Sequence, residues 1–161
     1  MKIRLATPDE AAQCWNIRNQ AIRCGCKSSY ESAVIEAWTP EIMPESFRRV
    51  IVSNPFFVVE SLDNRPLATG FLDLSSGSVE AVFTLPEFAG KGAAGMIIDA
   101  IKSEAHERGF EQLTLSSTPN AQSFYEKHGF ISLRESLYPS ALAKTDLRCI
   151  DMTFSLKDEG C

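Results

Sequence analysis

EAVFTLPEFAGKGAAGMII, residues 80–98, is the stretch on which the fold turns. Its first part continues the alternating run SVEAVFTLP (78–86), the pattern of a half-buried strand. Its last part opens a helical period, with Ala94, Ile97, Ile98, Ile101 and Ala105 on one face and Gly109 as a C-terminal stop. Between the two lie Gly90, Lys91, Gly92 and Gly95. A strand, a glycine-rich turn and a helix together make an anion site. The first helical amides have no internal partner, and the dipole places partial positive charge there. Gly90, Gly92, Ala93 and Ala94 keep side chains out of the way, and Lys91 adds a point charge at the rim. Two familiar phosphate loops do not fit. Walker A requires GxxxxGK[ST], whereas Lys91 is followed by Gly92. Gly90, Gly92 and Gly95 spell GxGxxG, but the strand before them belongs to a meander and no second βαβ half follows.

Working outward, PFFVVES (55–61) and PLATGFLDLS (66–75) are β-rich runs joined by LDNR, and SSGS turns the chain into the strand already described. Further upstream, KIRLA (2–6) alternates as a strand. Thr7-Pro8-Asp9-Glu10 then reads as a capped helix start. Ala11, Cys14, Trp15, Ile17, Ala21 and Ile22 approximate one helical face. Tyr30, Ala33, Val34, Ala37 and Trp38 give a second stripe, and Phe47, Val50 and Ile51 a third, short one beyond Pro40 and Pro44. Downstream, FEQLTLSS is a strand, PNAQSFYEKHG a short helix, and FISLRESL and RCIDMTFSL the closing strands. The expectation is one α/β (α+β) domain over residues 1–161, with a central mixed sheet and helices on both faces.

Composition narrows the function. The chain has 161 residues, 44% hydrophobic and 23% charged, with a net charge of −5 and no basic stripe, which argues against nucleic acid as a partner. The N-terminal MKIRLATPDEAAQ has acids and no apolar core, so no secretory signal is expected, and no apolar run approaches a membrane span. Cys14, Cys24, Cys26, Cys149 and Cys161 lack metal-type spacing, and the histidines, His106 and His128, lie far along the chain. Free thiols in a reducing cytoplasm, with no metal, are expected.

The run Glu80–Ile98 resembles motif A of the GCN5-related N-acetyltransferases, in which a strand leads into a [Q/R]-x-x-G-x-[G/A] loop and a helix. The six loop positions correspond to Ala89, Gly90, Lys91, Gly92, Ala93 and Ala94. Asn120–Phe130, NAQSFYEKHGF, is similar to motif B of that family at every defined position. One departure stands out: Ala89 replaces the usual Gln or Arg, removing a side-chain contact while leaving the backbone amides. The resemblance implies a mostly antiparallel sheet of about seven strands and acetyl-CoA as co-substrate, its pyrophosphate held by residues 89–95. It also implies main-chain contacts from Val82, Phe83 and Thr84 to the pantetheine arm, and a cofactor contact from Asn120. Homodimers are common among such relatives.

Acetyl transfer to an amine is aminolysis of a thioester: it needs a neutral amine and a proton for the departing thiolate. By resemblance Tyr125 is the general acid, close enough to touch the cofactor; packing of the Phe124-Tyr125 pair is the other reading. Glu80 is the candidate base, placed on the same strand face as Thr84, and Asp73 a weaker one. Tyr30 and Trp38 border the expected acceptor pocket or else belong to the core. The acceptor itself is an unidentified amine. A non-catalytic acyl-CoA-binding module is the alternative to an enzyme.

Overall fold

The computed structural model describes residues 1–157. β1 (Lys2–Leu5) leads through a short turn into α1 (Ala11–Gly25), α2 (Ser32–Trp38) and α3 (Glu45–Ser53). A meander of β2 (Phe56–Glu60), β3 (Pro66–Asp73) and β4 (Ser78–Thr84) follows, then α4 (Ala93–Glu107) and β5 (Gln112–Ser117). α5 (Gln122–Lys127), β6 (Ile131–Ser140) and β7 (Thr145–Ser155) complete the chain. The closing hairpin is longer than the sequence pattern suggests, because β6 and β7 stay paired as far as Ser140 and Thr145. Cys161 lies outside the described residues.

All strands join one sheet in the order β1-β2-β3-β4-β5-β7-β6. Every neighbouring pair is antiparallel except β4 and β5. Alternation along β2 explains why both sheet faces are covered. Phe56 and Val58 face α1 and α3, packing with Ala11, Cys14 and Ile51. Val59 faces the other way, with Ile97, Ile98 and Ile101 of α4. Gly70 on β3 lets α4 approach closely: a Cβ there would lie 2.3 Å from Ile97 Cγ2.

Two irregularities build the site. β4 and β5 are in register at only one point, Ser78 opposite Thr114, and the strands splay beyond it. β4 also bulges. Phe71 pairs with Glu80 but Thr69 pairs with Phe83, so β4 has one residue more than β3 over this interval. Ala81 absorbs the extra residue at φ 54°, and the Thr69 hydroxyl donates to its carbonyl at 2.8 Å. The bulge shifts the phase of the strand. Glu80 and Phe83 share the α1 face, whereas Thr84, opposite Ala68, faces α4. The expectation that Glu80 and Thr84 share a face is therefore corrected: simple period-two counting fails across an extra residue.

Among the described residues no helix is long and apolar enough to cross a membrane. Among them, too, no group of His, Cys, Asp or Glu is placed to hold a metal ion.

Candidate active site

The splay opens a cleft of about 250 Å³ between β4 and the start of α5. Glu80, Val82 and Phe83 line one wall, Ser116, Ser117 and Thr118 the other, with Tyr125 between them. Larger surface hollows, of about 600 Å³ beside α2 and about 560 Å³ between α1 and β3, contain neither Glu80 nor Tyr125.

The glycine loop lies at the end of β4. Gly90 and Gly92 hold φ of 78° and 89°, in the left-handed region, and a Cβ on either would meet nothing within 4 Å. Among the described residues the amides of residues 90–95 donate to no backbone or side-chain acceptor; the first helical bond there is from Met96 to Gly92. A run of free N–H groups at a helix start is an arrangement that can receive an anion such as a phosphate. Lys91 is exposed at the rim, its Nζ 5.7 Å from the Phe88 ring centre. Ala89 is exposed, Ala93 is buried in the core, and Gly95 makes room for His128, whose Cε1 would lie 3.1 Å from an added Cβ.

Glu80 accepts a hydrogen bond from the Ser78 hydroxyl at 2.8 Å, and Ser78 lies 2.7 Å from the Ser76 hydroxyl. Ser76 is exposed, so a chain of two hydroxyls joins the cleft carboxylate to the surface; Asp73 nearby accepts from the Ser75 amide and hydroxyl at 2.9 and 2.7 Å. Burial raises the Glu80 pKa above its ordinary value, opposed by the Ser78 bond and aided by the Asp73 charge. The Tyr125 pKa is raised as well, first by burial and then by the Glu80 charge. The rings of Phe124 and Phe130 pack on Tyr125 at centroid distances of 5.1 and 5.8 Å. Its hydroxyl bonds to nothing among the described residues. No buried side-chain polar atom there lacks a partner, so this hydroxyl opens on the cleft.

Tyr30 and Trp38 meet edge to face at 5.7 Å on the cleft wall, and the Tyr30 hydroxyl donates to the Arg148 carbonyl. Thr84 and Asn120 are not part of the lining: Thr84 faces α4, and the Asn120 amide rests against Gly25 and Cys26. Arg18, Tyr138, Arg148 and Cys149 line the cleft without having been marked by any sequence pattern. They arrive from α1, β6 and β7, far apart in sequence. Ser78 was legible in principle, two residues before Glu80 on an alternating strand.

A splayed β4–β5 pair with a glycine loop leading into α4 defines an acyltransferase type of fold. The chain belongs to the GNAT acetyltransferase family, whose acetyltransferase (GNAT) domain matches residues 26–153. An uncharacterized acetyltransferase of Streptococcus pyogenes serotype M1 is 33% identical over 95 residues, 53% of this chain and 66% of that protein. The GCN5-related N-acetyltransferase from Rhodopseudomonas palustris superposes with a TM-score of 0.86 at 21% identity, covering 96% of this chain and 94% of that one. PaiA N-acetyltransferase from Thermoplasma acidophilum, in complex with coenzyme A, superposes at 0.77 with 16% identity, covering 96% and 98%. YncA from Salmonella typhimurium, with its cofactor acetyl-CoA, does so at 0.71 with 18% identity, covering 100% and 96%.

Proposed function

We propose that the protein transfers the acetyl group of acetyl-CoA directly to a primary amine. The observation that supports this best is the meeting of Glu80 and Tyr125 in one cleft that begins beside a run of unpaired loop amides. The amides of residues 90–95 and the rim charge of Lys91 hold the pyrophosphate, while Val82 and Phe83 offer main chain to the pantetheine arm along the splayed strand. Glu80 takes a proton from the acceptor ammonium, and burial, which raises its pKa, makes it a stronger base than an exposed carboxylate. Ser78 and Ser76 pass the proton toward solvent by reorienting their hydroxyls. The neutral amine attacks the thioester carbonyl; the C–N bond forms and the C–S bond breaks. Tyr125, kept neutral by its raised pKa, donates its proton to the departing sulfur and is re-protonated from the second amine proton. Overall one proton is released for each acetyl group transferred.

The test is thermal shift followed by turnover. Coenzyme A should raise the melting temperature, since saturation at 100 times Kd stabilises a native state by about 2.7 kcal/mol. Thiol release from acetyl-CoA in the presence of an amine panel should then be detected. Binding without turnover on any amine would support the non-catalytic acyl-CoA-binding module, and no binding would remove the loop assignment altogether.

A further inference from the structure

Arg18 is the buried cation of the cleft, and the transfer chemistry does not explain its place. The residue is only 9% exposed, on α1, and its guanidinium lies 4.2 Å from the Trp15 ring centre and 5.9 Å from that of Trp38. Nη1 donates to Asn19 Oδ1 at 2.7 Å and to the Trp38 carbonyl at 3.0 Å. Asn19 and Trp15 are themselves fixed, both donating to the Pro40 carbonyl, at 2.8 and 2.7 Å. This frame locks the guanidinium in one orientation. Nε and Nη2 have no partner among the described residues. Since no buried side-chain polar atom there is left unsatisfied, these nitrogens keep some exposure, on a residue that lines the cleft.

Among the described residues no carboxylate pairs with this charge. Arg18 forms no ion pair among the described residues, and burial alone lowers its pKa, to about 10. Elsewhere the chain pairs its partly buried arginine generously: Arg4 has both Glu10 and Glu60. A buried cation without a counter-ion is costly to fold around. Arg148, exposed on β7, adds a second positive side chain to the same cleft, in a chain whose net charge is −5.

We infer that the acceptor amine carries a carboxylate, which the free Nε–Nη2 edge of Arg18 receives as a bidentate pair while Glu80 faces the amino group. An amino-acid-like acceptor has both charges in complementary positions: the ammonium meets the cleft carboxylate and the acid meets the guanidinium. Trp38, Tyr30 and Phe83 line the same cleft and offer apolar surface to the carbon skeleton. Monoamines without a carboxylate satisfy only Glu80 and leave the buried guanidinium unpaired.

This inference rests on the transferase reading above, and the experiment separates the two. A panel of amino acids is compared with the amines lacking the carboxylate and with the corresponding primary amides, using wild type, Arg18→Gln and Arg18→Lys. Wild type should favour acids by roughly 10–100-fold in kcat/KM, the span of a charge-assisted pair. Arg18→Gln should erase that preference through KM for the acid while leaving KM for acetyl-CoA within about twofold. Arg18→Lys, which keeps the charge and loses the fork, should retain a reduced preference. Coenzyme A binding by thermal shift reports whether each variant is folded. N-acetylated acids and N-acetylated amines, titrated onto the coenzyme A-loaded protein, give a readout independent of turnover. Equal or better use of the amines lacking a carboxylate by wild type overturns the inference, as does a preference that survives Arg18→Gln. Coenzyme A binding with neither product class bound also overturns it; absent coenzyme A binding strikes at the transferase reading instead.

Discussion

Glu80 holds a carboxylate where burial disfavours its charge, and that leaves a trace in stability. Its folded-state pKa lies above the unfolded value of 4.5. The protonated form is therefore the better-folded one, and stability is lost as pH rises through the folded pKa. Glu80→Gln mimics the protonated form and keeps the Ser78 hydroxyl a partner. It should melt higher than wild type near neutral pH, and the advantage should vanish below about pH 4. Calorimetry at both pH values decides; equal melting near neutrality would mean that the carboxylate is not strained. Tyr125 makes a different prediction. Tyr125→Phe keeps the ring contacts with Phe124 and Phe130 and removes the hydroxyl. Acetyl-CoA binding should persist while kcat falls by roughly 10²-fold, within the usual range for a general acid. Unchanged kcat would take Tyr125 out of the chemistry.

At the level of elements, the glycine loop and the Gly70 contact show two different uses of glycine. In the loop the left-handed φ of Gly92 is what matters, since its surroundings are open. Gly92→Asp should abolish stabilisation by coenzyme A, by strain and by a carboxylate set against the pyrophosphate. A folded variant that still binds normally would disprove the loop's role. At Gly70 space is what matters: the added methyl of Gly70→Ala would strike Ile97 Cγ2. Overpacking of this kind costs about 1–3 kcal/mol. Ile97→Ala alone should cost about 2–5 kcal/mol through its cavity. The double variant should lose less than the sum, since each change relieves the other. Additive losses in denaturant melts would show that α4 does not seat on Gly70 as described.

Across the whole molecule, Arg4 ties β1 to the turn before α1 and to β2, through Glu10 at 2.7 Å and Glu60 at 2.8 Å. The Glu10 carboxylate also accepts from the Thr7 amide and hydroxyl, closing the turn that the sequence marks as a capped start. The Arg4 bond leads the causes that hold Glu10 down to about 2, from 4.5. Because the folded value is depressed, this contribution is complete above 4.5 and disappears as pH falls toward 2. Glu10→Gln should lower stability near neutral pH and flatten the acid limb between those values, as read from melting temperature against pH. An acid limb as steep as in wild type would assign it to other carboxylates.

The sequence by itself determined the element order and the loop. Alternation, helical period and left-handed glycines are local, and each is enforced by backbone sterics or by burial of one face. Glu80 and Tyr125 were legible because the motifs around them resemble a family. What only the tertiary structure decided is which side chains meet. The bulge at Ala81 moved Thr84 off the Glu80 face, a phase change that period-two counting cannot register. Asn120 turned toward Gly25 and Cys26, away from the cleft lining. Arg18 came to the cleft from α1, and Tyr138 and Cys149 from the closing hairpin. Each of these placements depends on packing between segments far apart in the chain, which no local pattern in the sequence encodes.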